Sequence, residues 1–313
     1  MAFNVTGLTD YTNEQSTELV VKSLFGGKTA AVLQAAGQVQ VGIKSAEALN
    51  ILSSDVFFQA DGCGYNASGN TTFTQRNITV GKIKVEETLC PKTLEAKWMQ
   101  TQIAAGSPED VPFEEQIGNE KADRIAKLLE VAMWQGDTGT GNTNPNTNRF
   151  DGFNKVIDDA AASVDGNTTS ATSITTSNIE GLIDDMYNAL PADIADADDL
   201  VLFVGIDTFK KYTTALREAN LFHYAADSAG MEIVIPATNM KLIAVGGLNG
   251  TNRMFAGRLS NFFVGTDLAN EEEDYRFWYS QDNDEVRFRA TMKYGVQVAF
   301  PDQLVEFTLA SRR

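Results

Sequence analysis

Residues Pro112 to Gln135, PFEEQIGNEKADRIAKLLEVAMWQ, form one uninterrupted amphipathic pattern. Apolar side chains fall at 113, 117, 122, 125, 128, 129, 132 and 133, a stripe with a helical period. Ser107 is placed to cap the start, and Pro108 and Pro112 suit a first turn. Glu109, Asp110, Glu114 and Glu115 oppose the positive end of the helix dipole, and Gly136 stops the run. At 1.5 Å per residue the helix spans about 36 Å. That is longer than one compact core needs, so the chain must be organised along a rod.

A second long pattern precedes it. Residues 48–60, ALNILSSDVFFQA, read as a strand with Ile51-Leu52 and Val56-Phe57-Phe58 at its apolar points. DGCGYNASGNTT, 61–72, is a turn-rich tip carrying Gly62, Gly64 and Gly69. TFTQRNITVGKIKVEETLC, 72–90, alternates apolar and polar residues at Phe73, Ile78, Val80, Ile83 and Val85. Together 48–90 predict one long hairpin. An isolated two-stranded ribbon is marginal in water, so this one is expected to lie on a surface outside itself. The first 45 residues, polar with weak periodicity, predict an arm holding at most a short helix and also needing something to lie against.

The rest of the chain turns α/β and then β. Residues 136–148 are a polar loop. Helices are predicted over Asn178–Leu190, capped by Ser177 and stopped by Pro191, and over Asp207–Glu218, capped by Asp207. Leu200–Val204 reads as a buried strand, followed by strands over Met240–Val245, Arg253–Gly257 and Asn261–Val264. The tail gives Tyr275–Ser280, a tight turn at 281–284, Glu285–Phe300 and Leu304–Leu309. With 43% hydrophobic residues the chain can build a true core.

Charge and motifs remove several functions. A net charge of −17 repels phosphate backbones, and the longest basic groupings are only Lys210-Lys211 and Arg312-Arg313, which argues against a dedicated nucleic-acid binder. The charge is uneven: 61–98 carries +1, 108–135 carries −4 and 177–237 carries −8. That contrast fits either a hairpin docking on a neighbour's acidic surface or chance variation about the mean. One histidine, His223, has no recognisable partner nucleophile and reads as structural. Cys63 and Cys90 read as free thiols, and without a CxxC pair zinc chemistry is not expected. The glycine-rich run at 136–142 lacks the GK[ST] of a phosphate loop, and there is no GxSxG. Asp193, Asp196, Asp198 and Asp199 lack the glycine and terminal glutamate of a calcium loop and read as a solvated turn. Glu271-Glu272-Glu273-Asp274 reads as a solvated charge run. The six N-x-[ST] triplets reflect composition, because MAFNVTGLTDYTNEQSTE has neither the basic nor the apolar region of a secretion signal. No apolar stretch reaches membrane-spanning length, so a soluble cytoplasmic product without cofactor is expected.

The order of segments and several phrases carry a resemblance. KLLEVAMWQGD (127–137), the later Asp151-Gly152-Phe153, LSNFFVGTDL (259–268) and RFWYSQDNDEVRFRATMKYGVQVAFPDQLVEFTL (276–309), with Tyr294-Gly295-Val296 inside it, are similar to the major capsid proteins of tailed phages of the Hong Kong 97 phage type. The resemblance implies an α+β capsid fold. It would comprise an N-terminal arm (1–47), an extended loop (48–98), a peripheral domain (99–160 and 269–313) with a spine helix at 112–135, and an α/β axial domain (161–268). It also implies assembly through pentamers and hexamers into an icosahedral shell around double-stranded DNA, with each extended loop lying over a neighbour's spine helix. The copies would be made in a bacterial cytoplasm and end in the virion. Cys63, Tyr65, Arg76, Lys82, Lys84, Glu114, Glu115, Asp282 and Asp284 become candidate intersubunit contacts. Further implied partners are a portal, a separate scaffolding protein and a decoration protein. Nothing local marks an Asn or Glu partner for a cross-link from Lys82 or Lys84. Two alternatives stay open: an encapsulin-type nanocompartment subunit, which shares the fold, and a soluble α/β enzyme using Asp193 to Asp199.

Overall fold

The computed structural model describes residues 18–59, 61, 64–65, 68–89, 113–219, 229–267, 274–283 and 285–310. The elements begin with α1 (18–25), α2 (Lys28–Ala35), β1 (Val39–Gln40), β2 (Ala46–Asp55), β3 (Asn70–Thr79), β4 (Gly81–Leu89) and α3 (Phe113–Gln135). Next come α4 (Phe153–Ala160), β5 (Val164–Asp165), α5 (Ile179–Asn188), β6 (Leu200–Gly205), α6 (Ile206–Glu218), β7 (Glu232–Val234) and β8 (Lys241–Val245). The chain closes with β9 (Met254–Arg258), β10 (Phe262–Thr266), β11 (Asp274–Ser280), β12 (Glu285–Val298) and β13 (Val305–Phe307). This is an α+β fold. The long helix falls where its periodicity places it; its proposed cap, Ser107, lies outside the described residues.

Two sheets flank α3. In the first, the 14-residue β12 is the organiser. It pairs with β11 and β10 in succession along one side and with β4 along the other, and β1 adds to β10 in parallel. The second sheet has the order β5-β13-β9-β6-β8-β7. Its central strand β6 is apolar throughout because both faces are covered. Val201 and Phe203 face α3, whereas Leu200, Leu202 and Val204 face α5 and α6. Burial therefore gives two contiguous cores on either side of one sheet.

Three sequence expectations need correction. The segment 18–35 holds two short helices where at most one was expected, and the surface it lies against is the protein's own core: Leu19, Val20, Leu24, Ala30 and Leu33 are buried against α3. Their periodicity is weak because the helix is broken at Gly26-Gly27 into two short pieces. The predicted second hairpin strand is two strands. Residues up to Thr79 pair with β2, from Ala46↔Thr79 to Asp55↔Asn70. From Gly81 onward the chain pairs with β12, from Gly81↔Tyr294 to Leu89↔Val286. The apolar phase slips by one residue between Val80 and Ile83, at the point where the partner changes. In the sheets, β10 lies with β11 and β12 on one side of the expected division at 268/269, while β13 joins the second sheet. Finally, Ser177 and Asp207 are not the helix caps. Asn178 and Gly205 precede α5 and α6. Asp207 sits inside the first turn and accepts bonds from Thr208 N (2.9 Å) and Gly250 N (3.2 Å).

Candidate assembly surfaces

The hairpin β2–β3 has a seated root and an exposed blade. At the root, Ile43, Leu49, Ile78 and Val80 form a small apolar cluster against Phe263 of β10. Gln297 donates to the Asn77 carbonyl (2.7 Å), fastening the root to β12. Farther out, one face carries Asn50 opposite Gln75, Leu52 opposite Phe73 and Ser54 opposite Thr71. Gln75 donates to Asn50 Oδ1 at 2.8 Å across the strands, and the Ser54 and Thr71 hydroxyls are 3.1 Å apart. This face is uncharged, with Leu52 and Phe73 as its apolar centre, and both are well exposed. Beyond β2 the chain bares Val56, Phe57 and Phe58, the last fully, and Tyr65 nearer the tip. A cluster of large apolar side chains in water marks a binding surface.

In the body behind the blade, a buried tryptophan helps to join the two sheets. Trp134, near the end of α3, is fully buried. Its ring lies 5.1 Å from Phe153 of α4, 5.3 Å from Phe203 of β6, 5.5 Å from Phe255 of β9 and 6.4 Å from Phe262 of β10. One side chain therefore touches both sheets and two helices. Its Nε1 donates to Thr29 Oγ1 (2.8 Å), and Thr29 in turn donates to Glu130 Oε1 (2.6 Å). Burial pushes the Glu130 carboxyl above its ordinary value, more than the bonds from Thr29 and Gly247 and the charge of Lys28 lower it. The sequence reading missed this buried network. A signal was present: Glu130 stands between Ala126 and Trp134 at helical spacing, and all three are buried on one line of α3.

The loop after α3 is ordered by its own amides and carboxylates. Asp151 accepts from Thr138 N and Oγ1, both at 2.8 Å, and Asp137 N donates to the Thr147 carbonyl at 2.8 Å. The glycines of the two phrases QGD and DGF meet here. Gly152 N donates to Gly136 O (2.9 Å), and a Cβ on Gly152 would stand 2.7 Å from Gly136 N and 2.8 Å from Ala132 O. Both positions need the absent side chain for this close approach. In the acidic turn, Asp199 accepts from Arg258 Nε (2.8 Å) and Ser260 N (3.2 Å). Burial works against its charge, but these bonds and the Arg258 charge hold it below the usual carboxylate range. Asp199 is thus committed to an ion pair. Among the described residues, no three His, Cys, Asp or Glu side chains gather where a metal ion could bind, and no helix is long and apolar enough to cross a membrane.

Among the described residues, the candidate contacts do not form one site. Tyr65 is exposed near the tip. Arg76 stands at the root and donates to the Val298 carbonyl of its own chain (3.3 Å). Lys82 and Lys84, expected on the extended loop, point outward from β4 opposite Lys293 and Thr291 of β12. Lys84 pairs with Glu86 (2.9 Å). Asp282 is exposed in the β11–β12 turn. Glu114 and Glu115 lie in the first turn of α3, though their side chains, like Cys63, Cys90, His223, Glu271–Glu273 and Asp284 as a whole, fall outside the described residues.

No family model matches the sequence, and no curated protein matches it. Solved structures do match over nearly the whole chain. The procapsid of satellite phage P4 including its size determination (Sid) protein superposes with a TM-score of 0.57 at 13% identity, covering 95% of this chain and 90% of that one. The capsid of Myoviridae phage XM1 gives 0.52 at 14%, covering 88% and 91%. The virus-like particle from Pyrococcus furiosus gives 0.51 at 11%, covering 93% and 96%. At such identities the likeness shows the fold alone: this chain shares its α+β architecture with chains of these capsids and this particle.

Proposed function

We propose that this chain is a major capsid protein that assembles through pentamers and hexamers into an icosahedral shell enclosing the double-stranded DNA of a tailed phage. The observation that carries the reading is the hairpin, rooted in the body but with its apolar blade bare, on a fold that solved shell proteins share. A ribbon of this kind gains its second surface from another copy. Weak contacts repeated over a closed shell then add up to a stable particle. The acidic body suits a container, because a wall with a net charge of −17 holds DNA without adhering to it. In this reading the subunit is made in the host cytoplasm, binds a portal and a separate scaffolding protein during assembly, and offers its outer surface to a decoration protein.

The test is electron microscopy and sedimentation of the purified protein beside a variant in which residues 56–69 are replaced by an Asn-Gly turn, which suits the two-residue connection between Asp55 and Asn70. The wild type is expected to give uniform shells or rings of pentamers and hexamers. The shortened variant is expected to fold with an unchanged melting temperature yet remain small. A wild type that stays monomeric under all assembly conditions overturns the reading, as does normal particle yield from the variant. The nanocompartment alternative is also a shell fold and is decided by contents. Nuclease-protected DNA supports the phage shell, and a protein cargo supports the compartment.

A further inference from the structure

Residues 26–30 meet the body at the buried carboxylate of Glu130, beside the ion pair of Lys28 with Glu232. Glu130 is only 6% exposed. It accepts bonds from Thr29 N (3.1 Å), from Thr29 Oγ1 (2.6 Å) and from the backbone amide of Gly247. Trp134 Nε1 completes the network at Thr29 Oγ1 (2.8 Å). The network ties together three segments remote in sequence: the α1–α2 junction, α3 and the 246–248 turn that follows β8. From this convergence we infer that Glu130 is a protonation-dependent latch, whose charge state sets how firmly residues 26–30 are held against α3. The inference stands independently of the shell function.

The groups facing Glu130 are few. From the N-terminal segment comes Lys28, which is paired with Glu232 of β7. Glu232 also pairs with Lys241 of β8. From α3 come Asp123 and Lys127, which line the adjoining cavity, and Asp123 pairs with Lys22 of α1 (3.1 Å). From β12 comes Tyr294, fully buried, whose ionisation is opposed by burial and then by the Glu130 charge. The 246–248 turn contributes backbone only. When residues 26–30 lift away, water reaches the carboxylate and its affinity for a proton returns toward that of a free Glu side chain, 4.5.

The sign follows from that difference. The docked state holds the proton more tightly than the undocked one, so docking takes up a proton. The hold is strongest in acid, below the ordinary carboxylate value. It weakens as pH rises from there through the raised docked value, and is flat above it.

Hydrogen exchange of the purified full chain, read on the peptide spanning 27–33 between pH 5 and 8 and corrected for intrinsic exchange, tests this. Wild-type protection is expected to fall with rising pH, by up to about tenfold per unit within the window. E130Q is expected to show no pH dependence. T29V, which keeps Glu130 but removes both hydroxyl bonds, is expected to lower protection at every pH while keeping the slope. Flat wild-type protection across the range overturns the latch whatever the variants do. A wild-type slope retained in E130Q overturns it too, as does loss of the slope in T29V.

Discussion

Replacing Trp134 by alanine removes a buried side chain that touches both sheets. The ring has no exposed surface and packs on Phe153, Phe203, Phe255 and Phe262 at centroid distances from 5.1 to 6.4 Å. Truncating a buried tryptophan costs about 3–5 kcal/mol. The lost hydrogen bond to Thr29 adds about 1 kcal/mol. Because the two losses overlap, W134A should destabilise the subunit by about 4–5 kcal/mol. For a chain of 313 residues the unfolding entropy is about 0.66 kcal/mol per kelvin, so the melting temperature should fall by about 6–8 °C. W134F keeps most of the ring contacts and loses the bond to Thr29, so about 1–2 kcal/mol is expected. Calorimetry and denaturant unfolding of the unassembled subunit give both values. A fall below 3 °C for W134A would refute the hub. Equal losses for the two variants would refute it as well, since the cost would then lie in the Nε1–Thr29 bond and not in the rings.

Two shorter predictions follow from local geometry. Gly152→Ala forces a Cβ to within 2.7 Å of Gly136 N and 2.8 Å of Ala132 O, backbone atoms that cannot rotate away, and should cost about 2–3 kcal/mol. Gly141→Ala meets nothing within 4 Å and should stay within about 0.5 kcal/mol, so equal melting shifts for the two would contradict the close approach. Asp199, held below the usual carboxylate range by Ser260 and Arg258 despite burial, contributes stability that is full above the ordinary value of 3.8 and is lost as pH falls through its depressed folded value. The melting gap between wild type and D199N should therefore be constant from pH 7 to about 5 and narrow in stronger acid. A gap that widens in acid would exclude the Asp199–Arg258 pair as its source.

The elements that the sequence made plain share a cause: their pattern is set by their own periodicity. In α3 a helical stripe continues without interruption, and β6 is a pure apolar run because both its faces are buried. The β2–β3 ribbon is legible for the same reason, as alternation bounded by a glycine-rich tip. Where reading failed, the missing information was the identity of the partner. Ile83 and Val85 fall out of phase with Ile78 and Val80. This one-residue slip at Gly81, passed over when 72–90 is read as one alternation, is where pairing passes from β2 to β12. The segment 18–35 is buried, yet its two helices of about two turns each straddle Gly26-Gly27 and neither shows a long stripe. Glu130 was hidden by its type, since a glutamate on a charged helix is ordinarily solvated, and only its place on the 126–130–134 line gives it away.

The change of partner at Val80 has a mechanical consequence for a protein proposed to work by assembly. If β2, β3 and β4 formed one free-standing ribbon, the blade would swing about a loop. Its docking direction would then be lost to conformational entropy. Instead β3 continues into β4, which is zipped to β12 over nine consecutive residue pairs from Gly81↔Tyr294 to Leu89↔Val286. The same long strand carries β10, whose Phe262 touches Trp134. A force on the blade therefore passes through backbone ladders to the core, and the direction in which Leu52 and Phe73 are presented is set by the body. Preorganisation of this kind spares the cost of ordering the ribbon at the moment of contact. It also explains why the apolar root, Ile43, Leu49, Ile78 and Val80, is kept inside the chain while the apolar blade is left outside. The root fixes the direction, and the blade is free to bind.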